Sequence, residues 1–253
     1  MENKRVICFF VGTHGDWGGS SRIIFNIVRN LDREHFEPIV MLTAEGVICE
    51  ELNALGIRYE IWKSSAATSP FRKIKQLISI FHFFKRNKVA LVVLSYGCLG
   101  WKPLELFAAR IAKIPFVQHC QRIIKVPCPY TRFSAVVFTS SQYISRESNF
   151  KDTSVLPVAD IVDIDKFSRL DAVSEAEKIL AYTHLRAELG IPNENRVVSF
   201  LGRSRRSKGL EDFVALVHKL SARNISFLLA TQRTGKPNDD SFSDEELAEI
   251  INS

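Results

Sequence analysis

The sequence predicts an α/β protein in which the strands of a parallel sheet alternate with covering helices. Apolar runs of strand length, such as KRVICFFVG and VALVVLS, recur along the chain and carry no polar face, as expected for strands buried on both sides. The segments between them space their apolar residues as a helix does; Ile24, Ile27, Val28 and Leu31 are an example. This alternation stops near residue 158 and later resumes, which predicts two such units.

The elements of the first unit follow from these two periods. A helix over VICEELNALG should carry Ile48, Leu52 and Leu55 on one face and end at Gly56. A longer helix is predicted over PFRKIKQLISIFHFFKRN, and shorter ones over KPLELFAARIA and near SQYISRE. The predicted strands, in chain order, are KRVICFFVG, EPIVMLTA, YEIW, VALVVLS, IPFVQH and SAVVFTS.

The second unit is predicted to be incomplete. The first domain spans 1–157, an acidic connection without an apolar run spans 158–183, and the second domain spans 184–253. The second unit has only two strand patterns, NRVVSFLG and ISFLLAT, and two strands do not make a stable open sheet. Its last helix should begin with a capping box formed by Ser243 and Glu246.

Composition and charge narrow the function classes. The net charge of +6 suits a partner that carries phosphate. No zinc-finger spacing, aromatic RNA-binding string or basic arm is present, so we expect no nucleic-acid partner. The five cysteines form no C-x-x-C pair, which argues against both a metal site and a disulfide framework. We therefore expect a cytoplasmic protein. No apolar run approaches the roughly 18 residues that a membrane-spanning helix needs.

A glycine-rich loop between the first strand and the first helix is the first candidate site. In VGTHGDWGGSSR the glycines include Gly15, Gly18 and Gly19, and the following helix would direct free N–H groups at an anion. The spacing matches neither the dinucleotide pattern G-x-G-x-x-G nor a Walker A loop. A phosphate or acceptor site and a merely structural turn therefore both stay open.

The stretch LGRSRRSKG is the second candidate site. Arg203 follows a predicted strand, and Lys208 and Gly209 open the next helix. A guanidinium, an ammonium and free backbone N–H groups would then surround a bound diphosphate, with Arg205 and Arg206 adding positive potential. The alternative is an ordinary basic loop that faces water. We favour the diphosphate because open α/β sheets bind ligands at the carboxyl ends of their strands.

Two further features are weaker candidates. His119 lies at the end of a predicted strand, where it could act as a catalytic residue, whereas the other histidines suit surface or packing positions. The segment 71–88 predicts a basic amphipathic helix. We expect it to cover the sheet with a solvated basic face, with peripheral contact to an anionic membrane as the alternative.

Together these segments resemble glycosyltransferase family 4 along essentially the whole chain. The resemblance rests on GTHGDWGGSSRIIFNIVRNLDREHFEPIVMLTAEGVICEELNALGI, IPFVQHCQ, VDIDKF and LRAELGIPNENRVVSFLGRSRRSKGLEDFVAL. It implies two Rossmann-like domains of the GT-B type and a retaining transfer of a sugar from a nucleotide-diphosphate sugar to a glycan or lipid-linked acceptor. It also implies no metal and no cofactor beyond that donor, with Arg203 and Lys208 on the donor diphosphate.

The chain departs from the family pattern in ways that bear on activity. Gln121 stands where the family often has a histidine that reaches the donor sugar, and the acidic E-x7-E motif of the donor domain is absent because the chain ends first. We therefore expect the 253-residue chain to be inactive or impaired as an enzyme. The alternatives are a non-catalytic binding protein or gene remnant, and a nicotinamide-dependent oxidoreductase that uses the first glycine loop. If membrane-associated, the protein would lie at the inner face of the membrane.

Overall fold

The chain forms two compact units, residues 1–164 (unit 1) and residues 165–253 (unit 2). They are seen in a computed structural model that describes residues 4–11, 19–62, 70–95, 104–121, 123–125, 133–150, 153–158, 164, 173–204, 206–220, 224–232, 242–243 and 245–246.

Unit 1 is built on a seven-stranded sheet in which every neighbouring pair is parallel. Its strands are β1 (Arg5–Phe10), β2 (Phe36–Leu42), β3 (Arg58–Ile61), β4 (Val89–Leu94), β5 (Phe116–Cys120), β6 (Val136–Thr139) and β7 (Val155–Pro157). Their order across the sheet is β3-β2-β1-β4-β5-β6-β7. The order reverses between β1 and β4, which is where open α/β sheets bind their ligands.

Helices cover this sheet on both faces. The helices are α1 (Gly19–Arg29), α2 (Val47–Ala54), α3 (Pro70–Arg86), α4 (Leu104–Ile111) and α5 (Gln142–Glu147). The apolar residues of α1 and α2 pack in one cluster with alternate residues of β1 and β2, and those of α3 and α4 pack in a second cluster with the others. Right-handed crossovers impose this division, because the chain moves one way across the sheet from β1 to β3 and the other way from β3 to β7.

Strand β1 illustrates why the strands lack a polar face. Ile7 and Phe9 belong to the cluster with α1 and α2, whereas Cys8 and Phe10 belong to the cluster with α3 and α4. All four side chains are buried, and the ring of Phe10 meets Phe84 of α3 edge to face at 6.0 Å between ring centres. A strand with helices on both sides must be apolar at every position, as the sequence predicted.

Unit 2 has a much smaller core. Its elements are α6 (Glu175–Glu188), β8 (Arg196–Arg203), a 3₁₀ turn (Arg206–Lys208), α7 (Leu210–Leu220) and β9 (Ile225–Gln232). Strands β8 and β9 form a two-stranded parallel sheet. Among the described residues of this unit, Leu210 and Phe242 are the buried apolar ones, with Phe200, Phe213 and Leu229 packed against them.

The α/β fold and most of the predicted elements are confirmed, with three differences. Leu55 was expected on the buried face of α2 but is 41% exposed, because α2 ends at Ala54 and Leu55 already belongs to the turn. Strand β7 was not predicted; it has three residues, ends at Pro157 and lies at the edge of the sheet, so it has no recognisable apolar run. Residues 175–183 of the predicted connection belong to α6.

Candidate functional site

The carboxyl ends of β4 and β5 bring two buried polar side chains together. Ser95 follows β4, and His119 lies in the last part of β5; each is 6% exposed. The Ser95 hydroxyl oxygen is 3.4 Å from His119 Nδ1, at the long end of hydrogen-bonding distance. The backbone N–H of Ser95 donates to the carbonyl of Phe10 at 3.1 Å, which continues the β1–β4 pairing and fixes the position of Ser95. The structure thus places His119 at the predicted strand end and adds a serine beside it.

An apolar cavity of about 270 Å³ lies beside this pair, on the face of the sheet that carries α1. Among the described residues of its lining, His119 is the one titratable side chain. A pocket that is mostly apolar with few polar groups is typical of a site that orients a ligand through those groups. The remaining lining residues are Ile7, Phe9, Ile23, Ile24, Ile27, Leu31, Leu91, Val93, Val117, Phe138 and Val158.

Glu105 in the first turn of α4 is a further buried polar group at this edge of the sheet. It is 4% exposed, and within the described part of the chain its Oε2 atom has no hydrogen-bond partner. Burial raises the pKa of the Glu105 carboxyl, since the charged form is poorly solvated there. The carboxyl group therefore favours its neutral form more than an exposed glutamate does.

The second candidate site lies at the carboxyl end of β8. Arg203 is the last residue of β8; its backbone is described, but its side chain lies outside the described residues. Lys208 ends the 3₁₀ turn with an exposed side chain, and in the described part of the chain it forms no ion pair with a carboxylate. Gly209 has φ of +77°, a left-handed conformation that favours glycine, and α7 begins at the next residue. Lys208 and the beginning of α7 therefore lie together, as predicted.

Arg206 differs from the expectation for this loop. Its guanidinium is paired with the carboxylates of Glu211 and Glu246, the second at 2.6 Å, and lies 4.5 Å from the centre of the Phe242 ring. These contacts neutralise Arg206 and tie the 3₁₀ turn to the segment around the Ser243–Glu246 capping box. That capping box is confirmed: the Ser243 hydroxyl accepts from the Glu246 N–H at 3.1 Å, and the Glu246 carboxylate accepts from the Ser243 N–H at 2.7 Å. Arg206 thus stabilises the loop through these contacts, and its charge is balanced by the two carboxylates.

The structure describes only the last residues of the first glycine loop. Gly15 and Gly18 lie outside the described residues, and Gly19 is the first residue of α1. A Cβ atom added to Gly19 would have no described atom within 4 Å, and its φ is not in the left-handed range. Neither packing nor backbone conformation in the described residues thus requires glycine at this position, so its role as an approach for a ligand stays a prediction.

Sequence reasoning missed Ser95 and Glu105. Ser95 was missed because its contact with His119 depends on the pairing of β4 with β5, which the sequence does not display. Glu105 could have been found, because it shares one helical face with Ala108, Ala109 and Ala112, and all four are buried. A single acidic residue on an otherwise small and apolar face was the available signal.

The comparisons with known proteins find likeness in structure alone. No protein-family model matches the chain, and no curated protein matches it. A glycosyltransferase from Rickettsia africae superposes with a TM-score of 0.73 at 17% identity, over 91% of this chain and 61% of that one. HepE of Anabaena, solved with UDP and glucose, superposes with a TM-score of 0.68 at 17% identity, over 97% of this chain and 64% of that one.

A second kind of enzyme has the same architecture. The UDP-GlcNAc 2-epimerase of Neisseria meningitidis, solved with UDP-GlcNAc, superposes with a TM-score of 0.59 at 14% identity, over 98% of this chain and 70% of that one. The chain spans less than two thirds of the length of the Rickettsia africae glycosyltransferase and of HepE. At these identities the likeness concerns the fold, and the conclusion is that this chain has the Rossmann-type α/β architecture of GT-B proteins.

Proposed function

We propose that the chain belongs to a glycosyltransferase that uses a nucleotide-diphosphate sugar as donor, and that Lys208 binds the donor diphosphate. The observation that carries the proposal is Lys208 at the beginning of α7, directly after the carboxyl end of β8, where it is exposed and has no carboxylate partner among the described residues. An ammonium group beside a helix N-terminus stabilises a diphosphate by charge and by backbone N–H donors. The likeness of the fold to proteins solved with UDP or UDP-GlcNAc supports the same choice of ligand.

The other residues take roles around this group. Arg203 would contribute a second cation at the end of β8, and the left-handed Gly209 turns the backbone into α7. In the transfer itself, negative charge develops on the departing diphosphate, which is where fixed cations lower the barrier. Gly15, Gly18 and Gly19 are proposed to border the acceptor or its phosphate, and His119 to contact the reacting sugar. The resemblance to family 4 supports a retaining mechanism and a glycan or lipid-linked acceptor.

Calorimetric titration with UDP tests the diphosphate site. Because a charge-assisted hydrogen bond contributes about 1.5–3 kcal/mol, Lys208→Ala should weaken UDP binding roughly 10- to 150-fold. Binding to the unaltered chain should also weaken between about 0.05 and 0.5 M salt, since the group is exposed and its interaction is screened.

Lys219→Ala is the matched control, because Lys219 is an exposed lysine in the last turn of the same helix. It removes the same charge from the far end of α7 and should leave UDP affinity unchanged. Equal affinity of the Lys208→Ala chain and the unaltered chain would exclude this loop from the site. Equal losses in both lysine variants would mean that net charge, rather than a site, attracts the nucleotide.

Sugar-nucleotide epimerisation is a second candidate, favoured by the likeness to the UDP-GlcNAc 2-epimerase. The two activities differ in their need for an acceptor. An epimerase converts a UDP-sugar without one, whereas a transferase releases UDP only when an acceptor or water takes the sugar. Incubation with UDP-sugars, followed by chromatography of the nucleotide products with and without acceptor, distinguishes them.

The remaining alternatives differ from the proposed function in their ligand or in turnover. A nicotinamide-dependent oxidoreductase would bind NAD at the first glycine loop, and the spacing of its glycines argues against that. A non-catalytic binding protein would bind UDP but turn over no donor. Calorimetric titration with NAD in place of UDP distinguishes the oxidoreductase from the proposed function, because only the oxidoreductase should bind NAD.

A further inference from the structure

Ser95 and His119 form a pair whose positions are fixed by the sheet. The hydroxyl oxygen of Ser95 lies 3.4 Å from His119 Nδ1, and each residue is 6% exposed. The Ser95 N–H donates to the Phe10 carbonyl at 3.1 Å, and His119 is in register with Phe138 of β6. Because both backbones are held and both side chains are buried, neither polar group can turn to bulk water. Each must therefore satisfy its hydrogen bonds inside the fold.

The hydroxyl of Ser95 has little choice of partner. In the part of the chain that the structure describes, His119 Nδ1 is the one hydrogen-bond partner of the Ser95 side chain. A serine hydroxyl carries one proton, and a buried donor without an acceptor is unfavourable. If Nδ1 carried a proton of its own, the hydroxyl could only accept from it, and the hydroxyl proton would lack an acceptor. The arrangement that satisfies the hydroxyl is therefore donation from Ser95 to a bare Nδ1.

This direction determines where the ring proton of His119 lies. A neutral imidazole carries one N–H group, and the bond made by one ring nitrogen sets which nitrogen carries the proton. With Nδ1 accepting from Ser95, the proton is on Nε2. His119 also borders the cavity on the α1 face, where the other described residues of the lining are apolar. A neutral His119 in this form offers a ligand a hydrogen-bond donor and has no free nitrogen that could take up a proton.

We propose that Ser95 is a positioning residue for His119. Ser95 donates to Nδ1 and keeps the proton of the neutral ring on Nε2, so that His119 is a hydrogen-bond donor to an oxygen atom of the ligand rather than a general base. A base at this position would need a bare Nε2, which the bond from Ser95 disfavours. The state of the ring does not depend on the identity of the ligand. That the oxygen atom belongs to the reacting sugar rests on the proposed function.

Nitrogen NMR of the chain labelled with ¹⁵N-histidine tests the state of the ring. The spectrum is recorded at about pH 8, where a histidine with an ordinary pKa is neutral. The signals of His119 are those that disappear in His119→Gln. In the unaltered chain Nε2 should have the shift of a protonated nitrogen, and Nδ1 that of a bare one. In Ser95→Ala both should move towards intermediate shifts as the two tautomers mix, whereas Ser95→Thr retains a hydroxyl and should restore the original pattern.

Ser134→Ala is the matched control. Ser134 is 8% exposed, and among the described residues its hydroxyl has no hydrogen-bond partner, so the variant removes a buried hydroxyl that is not bonded to His119. It should leave the nitrogen shifts of His119 unchanged. A protonated Nδ1 in the unaltered chain would overturn the proposal, as would equal His119 shifts in Ser95→Ala and Ser134→Ala. The spectrum of the unaltered chain decides the tautomer even if Ser95→Ala fails to fold.

Titration with UDP-glucose and with UDP tests the role of His119 toward the ligand. UDP-glucose should shift the Nε2–H signal of His119, whereas UDP, which lacks the sugar, should not. Loss of the positioning bond in Ser95→Ala should weaken the binding of UDP-glucose roughly two- to tenfold and leave the binding of UDP unchanged. A chain that binds UDP-glucose with no change at His119 contradicts the donor role. A chain that binds neither nucleotide contradicts the proposed function instead, and the tautomer of His119 still tests the bond from Ser95.

Discussion

At the scale of single residues, Glu105 places an ionisable group where the fold has little means to solvate a charge. The carboxyl is buried on a face of α4 that is otherwise made of alanines, and burial raises its pKa. Below the ordinary pKa of a glutamate the group is neutral in both the folded and the unfolded chain, so its burial costs least there. As the pH rises towards and through the raised pKa of the folded state, the unfolded chain releases its proton more readily, and stability is lost.

We therefore expect Glu105→Gln to gain stability over the unaltered chain as the pH rises. Glutamine keeps the shape of the side chain without the ionisation, so the difference in free energy of unfolding should be smallest near pH 4 and grow towards pH 8. Urea unfolding at several pH values measures it. Glu188→Gln, at an exposed glutamate of α6, is the control and should add no such dependence. A pH-independent difference for Glu105→Gln would mean that this carboxyl is already solvated or paired.

Some features of single residues can be predicted from the sequence, whereas others depend on contacts that form only in the folded structure. Lys208 and Gly209 follow an apolar strand and precede a helical pattern, so their position at the beginning of α7 could be predicted. The contact between Ser95 and His119 could not, because it depends on the adjacency of β4 and β5 across the sheet. The pairing of Arg206 with Glu246 joins residues far apart in the chain, and local patterns carry no information about it.

At the scale of elements, two helices have a glycine at their beginning for different physical reasons. Gly209 precedes α7 with φ of +77°, where any other residue would be strained. Gly19 begins α1 without a left-handed φ and with open space around the position of a Cβ atom. The first glycine is explained by its backbone, whereas the second has no such explanation in the described residues.

Alanine substitution should separate these two glycines. Gly209→Ala should lower the stability of unit 2 by about 1–2 kcal/mol, the cost of a left-handed residue with a Cβ atom. Gly19→Ala should leave stability nearly unchanged, and Gly19→Val should weaken ligand binding without altering the far-UV circular dichroism. Chemical unfolding and calorimetry give both quantities. If Gly19→Ala destabilises the chain as much as Gly209→Ala, the first loop is a structural turn.

The elements that sequence patterns predicted best are those long enough to show a period. The helix over 70–87 and the strands with runs of buried apolar residues appear as predicted, since each repeats its pattern several times. Strand β7 has only three residues, and its pairing with β6 comes from the tertiary structure. The capping box of α6 was overlooked, although Ser174 and Glu177 have the spacing of Ser243 and Glu246 and form the same reciprocal bonds.

At the scale of the whole molecule, the two units differ in how much apolar surface they bury. Both faces of the sheet in unit 1 carry large clusters of buried side chains. In unit 2 many large apolar side chains are exposed instead, with Leu201 at 78% and Leu180 at 71%. Because burial of apolar surface is the main favourable term in folding, the two units should differ in local stability.

Hydrogen exchange followed by mass spectrometry should reveal this difference. Amides of β1 and β4 should exchange slowly, at the rate of global unfolding, whereas those of β8 and β9 should exchange roughly 100-fold faster or more. Peptides of α1 and α7 provide a comparison between helices of equal length in the two units. Equally slow exchange beyond residue 190 would show that unit 2 is stabilised by contacts other than its small core.

The pairing of β1 with β4 has a consequence for synthesis on the ribosome. Strand β1 lies in the middle of the sheet, and Val6 pairs with Val89, so one side of the strand has no partner until the chain has grown past α3. At about 5–20 residues per second, this interval lasts several seconds. During that time β1, β2 and β3 can form only part of the sheet, and the unpaired backbone N–H and C=O groups on one edge of β1 are open to any other strand. The central position of the first strand thus makes the nascent chain a candidate for chaperone binding before β4 has been synthesised.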